Sequence, residues 1–101
     1  MEDSIYTLGM WRVKPGRADE FIAAWTDLGD IFGALPDPPG TGTLLQSTAE
    51  PDLFYSFGPW RRLEDVAAMR ANPEAQAGIG RLVALCEEAA PGSFRVVAEA
   101  P

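Results

Sequence analysis

An α+β fold of the ferredoxin-like kind, a βαββαβ sandwich, is predicted by three observations on this sequence. Six patterned segments fill almost the whole chain in the order strand, helix, strand, strand, helix, strand. Its 101 residues suit one domain spanning residues 1–101. Apolar residues make up 47% of it, enough for a core and too many for a disordered chain. The expected product is a four-stranded antiparallel sheet with two helices on one face.

The first strand is expected over residues 4–13. Ile5, Gly9, Trp11 and Val13 fall on one face, and Tyr6, Leu8 and Met10 on the other, so both faces are largely apolar. Lys14-Pro15-Gly16 is a break. A first helix then runs to about Leu35, with Phe21, Ile22, Trp25, Leu28, Phe32 and Leu35 recurring along one face. Asp19 and Glu20 sit in its first turn, where carboxylates suit the positive end of the helix dipole. Gly29 and Gly33 each weaken it by about 1 kcal/mol relative to alanine, or else let it pack closely. The proline- and glycine-rich stretch 36–42 reads as a loop.

Residues 43–48 and 53–58 read as the second and third strands, joined by the turn 49–52 as an antiparallel hairpin. Helical periodicity resumes at Leu63. Asn72-Pro73 divides it into two pieces, 62–71 and 73–89, because proline disfavours helix in the residue before it and suits a helix start. Pro91-Gly92 stops the second piece, and residues 94–98 read as the last strand.

The net charge is −7 and the chain has no histidine. Such an acidic domain, without a basic stripe or the basic-aromatic strand pattern of RNA-binding sheets, is a poor partner for nucleic acid. Cys86 stands alone, so neither an internal disulfide nor a zinc cluster is expected. No apolar run reaches the ~18 residues of a membrane span and no signal peptide is visible, which makes a cytoplasmic location the expectation.

Strands apolar on both faces need a second cover, since two helices cover only one face of the sheet. Leaving Tyr6, Leu8, Met10 and their neighbours in water exceeds the apolar patch a soluble monomer tolerates. At ~25 cal/mol per Å2, covering about 500 Å2 contributes on the order of 12 kcal/mol before association costs. The expected cover is the same face of a second copy, giving a symmetric homodimer.

Two stretches carry a family resemblance. One is Phe54-Tyr55-Ser56-Phe57-Gly58-Pro59-Trp60-Arg61-Arg62-Leu63-Glu64-Asp65, followed by Met69-Arg70-Ala71-Asn72-Pro73-Glu74-Ala75-Gln76-Ala77. The other is the opening Trp11-Arg12-Val13-Lys14-Pro15-Gly16-Arg17-Ala18-Asp19-Glu20-Phe21. In layout this resembles the antibiotic biosynthesis monooxygenase family, small dimeric α+β barrels with a tryptophan after the third strand and a broken helix beyond it. The resemblance implies a dimeric barrel with a pocket on the helix-facing side of the sheet. It departs from the family's haem degraders. Their strand asparagine, helix tryptophan and ligating histidine fall on Gly9, Met69 and Ile79, and no histidine elsewhere replaces the ligand.

The candidate substrate-binding residues are Gly9, Trp11, Tyr55, Trp60, Arg70 and Asn72. Gly9 leaves room for a ligand ring or marks close backbone packing. Trp60 lines the pocket mouth or packs the strand end. Arg70 and Asn72, near the helix break, are placed to hydrogen-bond a phenolate or carbonyl oxygen, or serve as a solvated charge and a helix cap. Tyr6 falls on the expected dimer face, so Tyr55 is the preferred phenol. Trp25 and Cys86 read as core. No metal site, catalytic carboxylate pair, flavin motif or nicotinamide motif is visible.

The resemblance therefore implies a cofactor-independent monooxygenase acting on a polycyclic aromatic phenol or quinol of secondary metabolism. The alternative is a non-catalytic small-molecule-binding or assembly module on the same dimeric barrel. The fold by itself hosts many functions.

Overall fold

The computed structural model describes residues 4–101. It contains β1 (Ile5–Val13), α1 (Ala18–Gly33), β2 (Thr43–Gln46), β3 (Leu53–Trp60), α2 (Leu63–Ala71), α3 (Pro73–Ala84) and β4 (Cys86–Arg95). The strands form one antiparallel sheet in the order β2-β3-β1-β4. This is the ferredoxin-like arrangement, with the second helix divided at Asn72-Pro73 as its sequence requires. The Asn72 side-chain oxygen accepts from the Glu74 and Ala75 N–H groups at 2.9 and 3.0 Å and so caps α3.

The main departure from the sequence expectation is at the end of the chain. The helix was expected to reach residue 89 and the last strand to begin at residue 94. Instead α3 stops at Ala84, and the strand runs from Cys86 to Arg95. Glu87, Glu88, Ala89 and Ala90 favour helix locally, but pairing along nearly all of β1 overrides that preference. Pro91 does not break the strand because of where it sits. It lies opposite Gly9 on an edge strand, at a register position whose nitrogen faces away from β1, so no ladder bond is lost. Pro59 extends β3 two residues past its expected end in the same way. Its carbonyl accepts from Gly40 on the side away from β1, and its ring nitrogen faces that side too.

The helix-facing side of the sheet has a distinctive middle. Thr7 pairs with Gly58, and Gly9 pairs with Ser56. These four small residues form a block at its centre. Large side chains flank them: Ile5 opposite Trp60 at one end, and Trp11 opposite Phe54 at the other. The core is accordingly in two clusters. Trp11, Val13, Phe21, Leu28, Phe54 and Leu82 anchor one, and Ile5, Trp60, Val66 and Met69 anchor the other. Phe21 is wholly buried, with its ring centroid 5.8 Å from Trp11 and 5.1 Å from Phe54. Phe32 meets Trp60 edge-on at 5.5 Å.

The close approach of α1 to α3 is made at Gly78, where an added Cβ would lie 2.7 Å from Leu28 Cδ1. Gly29 and Gly33 do not serve close packing, since a Cβ at either meets nothing within 4 Å. The opposite face of the sheet carries Tyr6, Leu8, Met10, Leu45, Tyr55, Phe57 and Phe94. No helix covers it. Leu8, Leu45, Tyr55 and Phe94 remain 40%, 52%, 45% and 55% exposed. Among the described residues, no helix is long and apolar enough to cross a membrane.

Phe21 joins the first helix to both central strands of its cluster. Truncating a buried phenylalanine removes apolar contact and leaves a cavity, so Phe21→Ala is expected to cost about 3–5 kcal/mol. Urea denaturation would read this as a lower midpoint, and an unchanged midpoint would contradict the core described here.

Candidate functional site

A cavity of ≈730 Å³ opens between the two core clusters, over the block of small residues. Thr7, Gly9, Ser56 and Gly58 form its floor on the sheet. Trp11 and Trp60 stand at its two ends. Trp25, Leu28 and Phe32 of α1 line another side, with the bare backbone of Gly29 and Gly33 among them. Met69 and Arg70 of α2 and Ile79 and Leu82 of α3 complete the helical wall. Residues 39–42 and β4 residues 91–93 border it at the sheet edges.

Two hydrogen bonds organise the floor. Trp11 Nε1 donates to Ser56 Oγ at 2.9 Å, and Trp60 Nε1 donates to Thr7 Oγ1 at 2.9 Å. Both tryptophans are only 4% exposed, so each indole N–H needs an internal acceptor. Each hydroxyl oxygen thereby accepts one bond and still carries its own proton. A hydroxyl that accepts an N–H bond becomes a better donor, by about 10–30% for such a chain. The floor therefore offers these two indole-backed O–H donors, with the Thr41 and Ser93 hydroxyls also on the lining, in a mainly apolar, aromatic hollow, an arrangement suited to carbonyl or oxyanion oxygens on a flat ring system.

The sequence candidates distribute as follows. Gly9, Trp11, Trp60 and Arg70 line the cavity. Gly9 does not leave room for a ligand ring, because a Cβ there would lie 2.6–2.7 Å from the Trp11 indole. The space belongs to Trp11, which folds over Gly9 to reach Ser56. Trp60, expected either to line the pocket mouth or to pack the strand end against the second helix, clusters with Val66 and Met69 of α2, meets Phe32 of α1 edge-on and also borders the cavity. Tyr55 is a correction: it pairs with Met10 and faces the uncovered side of the sheet. Trp60 is five residues further along the same strand, so alternation puts the two on opposite faces. Asn72 is a second correction. Its oxygen is committed to the cap of α3, and it lies on a separate hollow of ≈370 Å³ beside Asp65.

Thr7 and Ser56 were missed by the sequence reading. The available signal was a hydroxyl on the inward face of each central strand, which is more informative than the apolar residues around it. Trp25 belongs both to the core margin and to the cavity wall. Met69 and Ile79, the positions of two haem-degrader functional residues in the resemblance, also line it. Cys86 is buried in the first core cluster, and burial pushes its thiol pKa up, with Lys14 opposing. It is a packing residue. Among the described residues, no group of His, Cys, Asp or Glu side chains is placed to hold a metal ion.

Comparison with known proteins places the fold. No family model matches the sequence, and no curated protein matches it. Solved structures do match in shape. A variant of SnoaB, a cofactor-independent oxygenase from Streptomyces nogalater, superposes with a TM-score of 0.87 at 19% identity, covering 99% of each chain. A protein from Bordetella bronchiseptica, provisionally called an antibiotic biosynthesis monooxygenase, gives 0.81 at 16% identity, covering 96% of this chain and 100% of its own. A conserved protein from Methanosarcina mazei Go1 gives 0.81 at 14% identity, covering 92% of each chain. The likeness is one of fold, and it is the fold of the resemblance drawn from the sequence.

Gly9 provides a test of the floor. Gly9→Ala is expected to lower stability by about 1–3 kcal/mol through overpacking. Trp11 should also shift away from Ser56, seen as a change in tryptophan fluorescence. Retained stability with unchanged fluorescence would contradict the packing of Trp11 over Gly9.

Proposed function

We propose that this chain is a cofactor-independent monooxygenase acting on a polycyclic aromatic phenol or quinol, working in the cytoplasm as a homodimer. The observation that carries the reading is the cavity floor, where two indole-backed hydroxyls face an aromatic-walled hollow. Its volume, ≈730 Å³, lies in the range of small-molecule sites. The fold shared with SnoaB, a cofactor-independent oxygenase, and with the Bordetella bronchiseptica protein supports the same reading.

The chemistry needs little from the protein. In an anthrone-like substrate, a ring CH2 opposite a carbonyl becomes a second carbonyl. One oxygen atom of O2 enters the ring and the other leaves as water. The substrate supplies all four electrons, so the reaction balances without an added reductant. Negative charge collects on the carbonyl oxygen as the ring is activated, and the Ser56 and Thr7 hydroxyls are the donors for it. Gly9, Trp11 and Trp60 shape the slot, and Arg70 stands in its wall. Tyr55 and Asn72 have no part in this site.

An oxygen electrode tests the activity directly. Anthrone should drive O2 uptake with anthraquinone as product, faster than the uncatalysed rate. Ser56→Ala removes one donor and should lower kcat about a hundredfold. No uptake above background across anthrone and naphthalene quinols would overturn the reading in favour of a binding module.

The uncovered sheet face supports the homodimer. Leu8, Leu45, Tyr55 and Phe94 stay 40–55% exposed on that one face, an apolar set that calls for a cover. Light scattering at micromolar concentration should give twice the chain mass. Leu8→Asp should shift it to one chain mass and lower the melting temperature together. A stable monomer of the unaltered chain would exclude this interface.

A further inference from the structure

We infer that the cavity takes its substrate as a preformed anion, with Arg70 as the residue that selects it. This rests on the reading of the cavity as a substrate site, and it adds the ionisation state that the site recognises. Among the described residues, Arg70 is the one ionisable side chain on the lining, and it is an exposed residue, so its charge stands where the cavity meets solvent. Among the described residues, no carboxylate lies within ion-pair distance of it. The surrounding elements carry acids, but none of them lines the cavity. On α1, Asp27 pairs with Arg81 at 3.5 Å, and Asp30 is exposed. On α2, Asp65 pairs with Arg62 at 3.1 Å, and Glu64 is exposed. Asp37, in the loop after α1, also lies toward Arg62, and Glu74 of α3 is exposed. The two phenols, Tyr6 and Tyr55, belong to the opposite face of the sheet.

The wall therefore contains no group able to take a proton near neutral pH. Arginine stays protonated and only donates. Ser56 and Thr7 are not activated as bases either, because the group behind each is an indole N–H donor. An enzyme that begins by deprotonating its substrate needs a base within reach. This cavity instead offers the Arg70 guanidinium and the hydroxyls of Thr7, Thr41, Ser56 and Ser93, with no carboxylate or imidazole among its lining residues. A ligand whose proton is already lost is the one that fits.

The oxidation closes without a protein base once the substrate enters as an anion. Its ring carbon forms a bond to O2, giving a peroxide on that carbon. The O–O bond then breaks together with the remaining C–H bond at the same carbon. A carbonyl forms, and the second oxygen leaves as hydroxide carrying that proton. Four electrons leave the substrate and four reduce O2. The substrate class is accordingly a polycyclic phenol or anthrone acidic enough to ionise near neutral pH, its charge delocalised onto an oxygen that Arg70 and the hydroxyls reach.

A chromogenic ligand tests this without turnover. Alizarin, a phenolic anthraquinone whose visible band moves on ionisation, is titrated with pH in the presence and absence of the full-length protein. The bound dye should ionise about one pH unit lower than the free dye, a tenfold preference for the anion. Arg70→Gln should abolish that preference, while Arg70→Lys should keep most of it. Raising the ionic strength should weaken it in the unaltered protein. Binding of the neutral dye, a preference unchanged in Arg70→Gln, or no binding of either form would each overturn the inference. An intact anion preference with no O2 uptake from any anthrone would instead sink the monooxygenase reading and leave the anion site standing.

Discussion

Two buried indole N–H groups, and the hydroxyls that satisfy them, hold the centre of this molecule in shape. Large apolar residues across the middle of the sheet would fill the space under the helices and merge the two core clusters. Thr7, Gly9, Ser56 and Gly58 are too small to do so. Trp11 and Trp60 lean inward from either end instead, each tied at 2.9 Å to a hydroxyl in that block. Removing either hydroxyl strands a buried N–H at about 1–3 kcal/mol. Stability thus fixes the chemistry of the floor: each hydroxyl is required as an acceptor for the fold, and its donor side is left for whatever enters.

The same strand alternation that builds this floor produces the uncovered face. Every inward residue of β1 and β3 has an outward neighbour, and the outward set, from Tyr6 and Leu8 to Tyr55 and Phe57, is nearly as apolar as the core. A sheet with only its inner face in mind would carry polar residues there. The sequence therefore encodes two apolar surfaces on one sheet, one closed by the helices and one open. The cavity and the open face share a backbone. A change in strand register would move Tyr55 into the cavity and Trp60 out of it, so register is specified from both sides.

Much of this was legible in the sequence where the determinants are local. The order of elements, the β2–β3 hairpin and the break at Asn72-Pro73 follow from periodicity and turn chemistry, and Asn72 caps as its position suggests. β4 was not legible. Its residues 87–90 favour helix, and only the length of β1 available for pairing explains their state. Tyr55 is preferred in the sequence because Tyr6 falls on the expected dimer face, but register with Met10 puts Tyr55 on that same outer face. Carrying the third strand's alternation on to Trp60 would have put the two aromatics on opposite faces. The cavity itself arises from a cross-strand juxtaposition of Thr7 with Gly58 and Gly9 with Ser56, which depends on register and leaves no local signature.

Charge is distributed around the cavity with a clear sense. The chain carries 15 acidic against 8 basic residues, yet among the described residues no carboxylate reaches the wall, and its one ionisable side chain is a cation. In an apolar wall this asymmetry matters. Two unit charges of like sign about 4 Å apart repel by about 4 kcal/mol at an effective dielectric constant near 20, close to a thousandfold in an equilibrium. A carboxylate beside the floor would oppose an anionic ring oxygen by that order. A carboxylate acting as base would also have to be desolvated in the empty cavity. Two neutral hydroxyl donors and one arginine avoid both penalties. The Thr7 and Ser56 hydroxyl oxygens are ordered before anything binds, because the indoles hold them in place, so little reorganisation of these two groups is required when negative charge arrives.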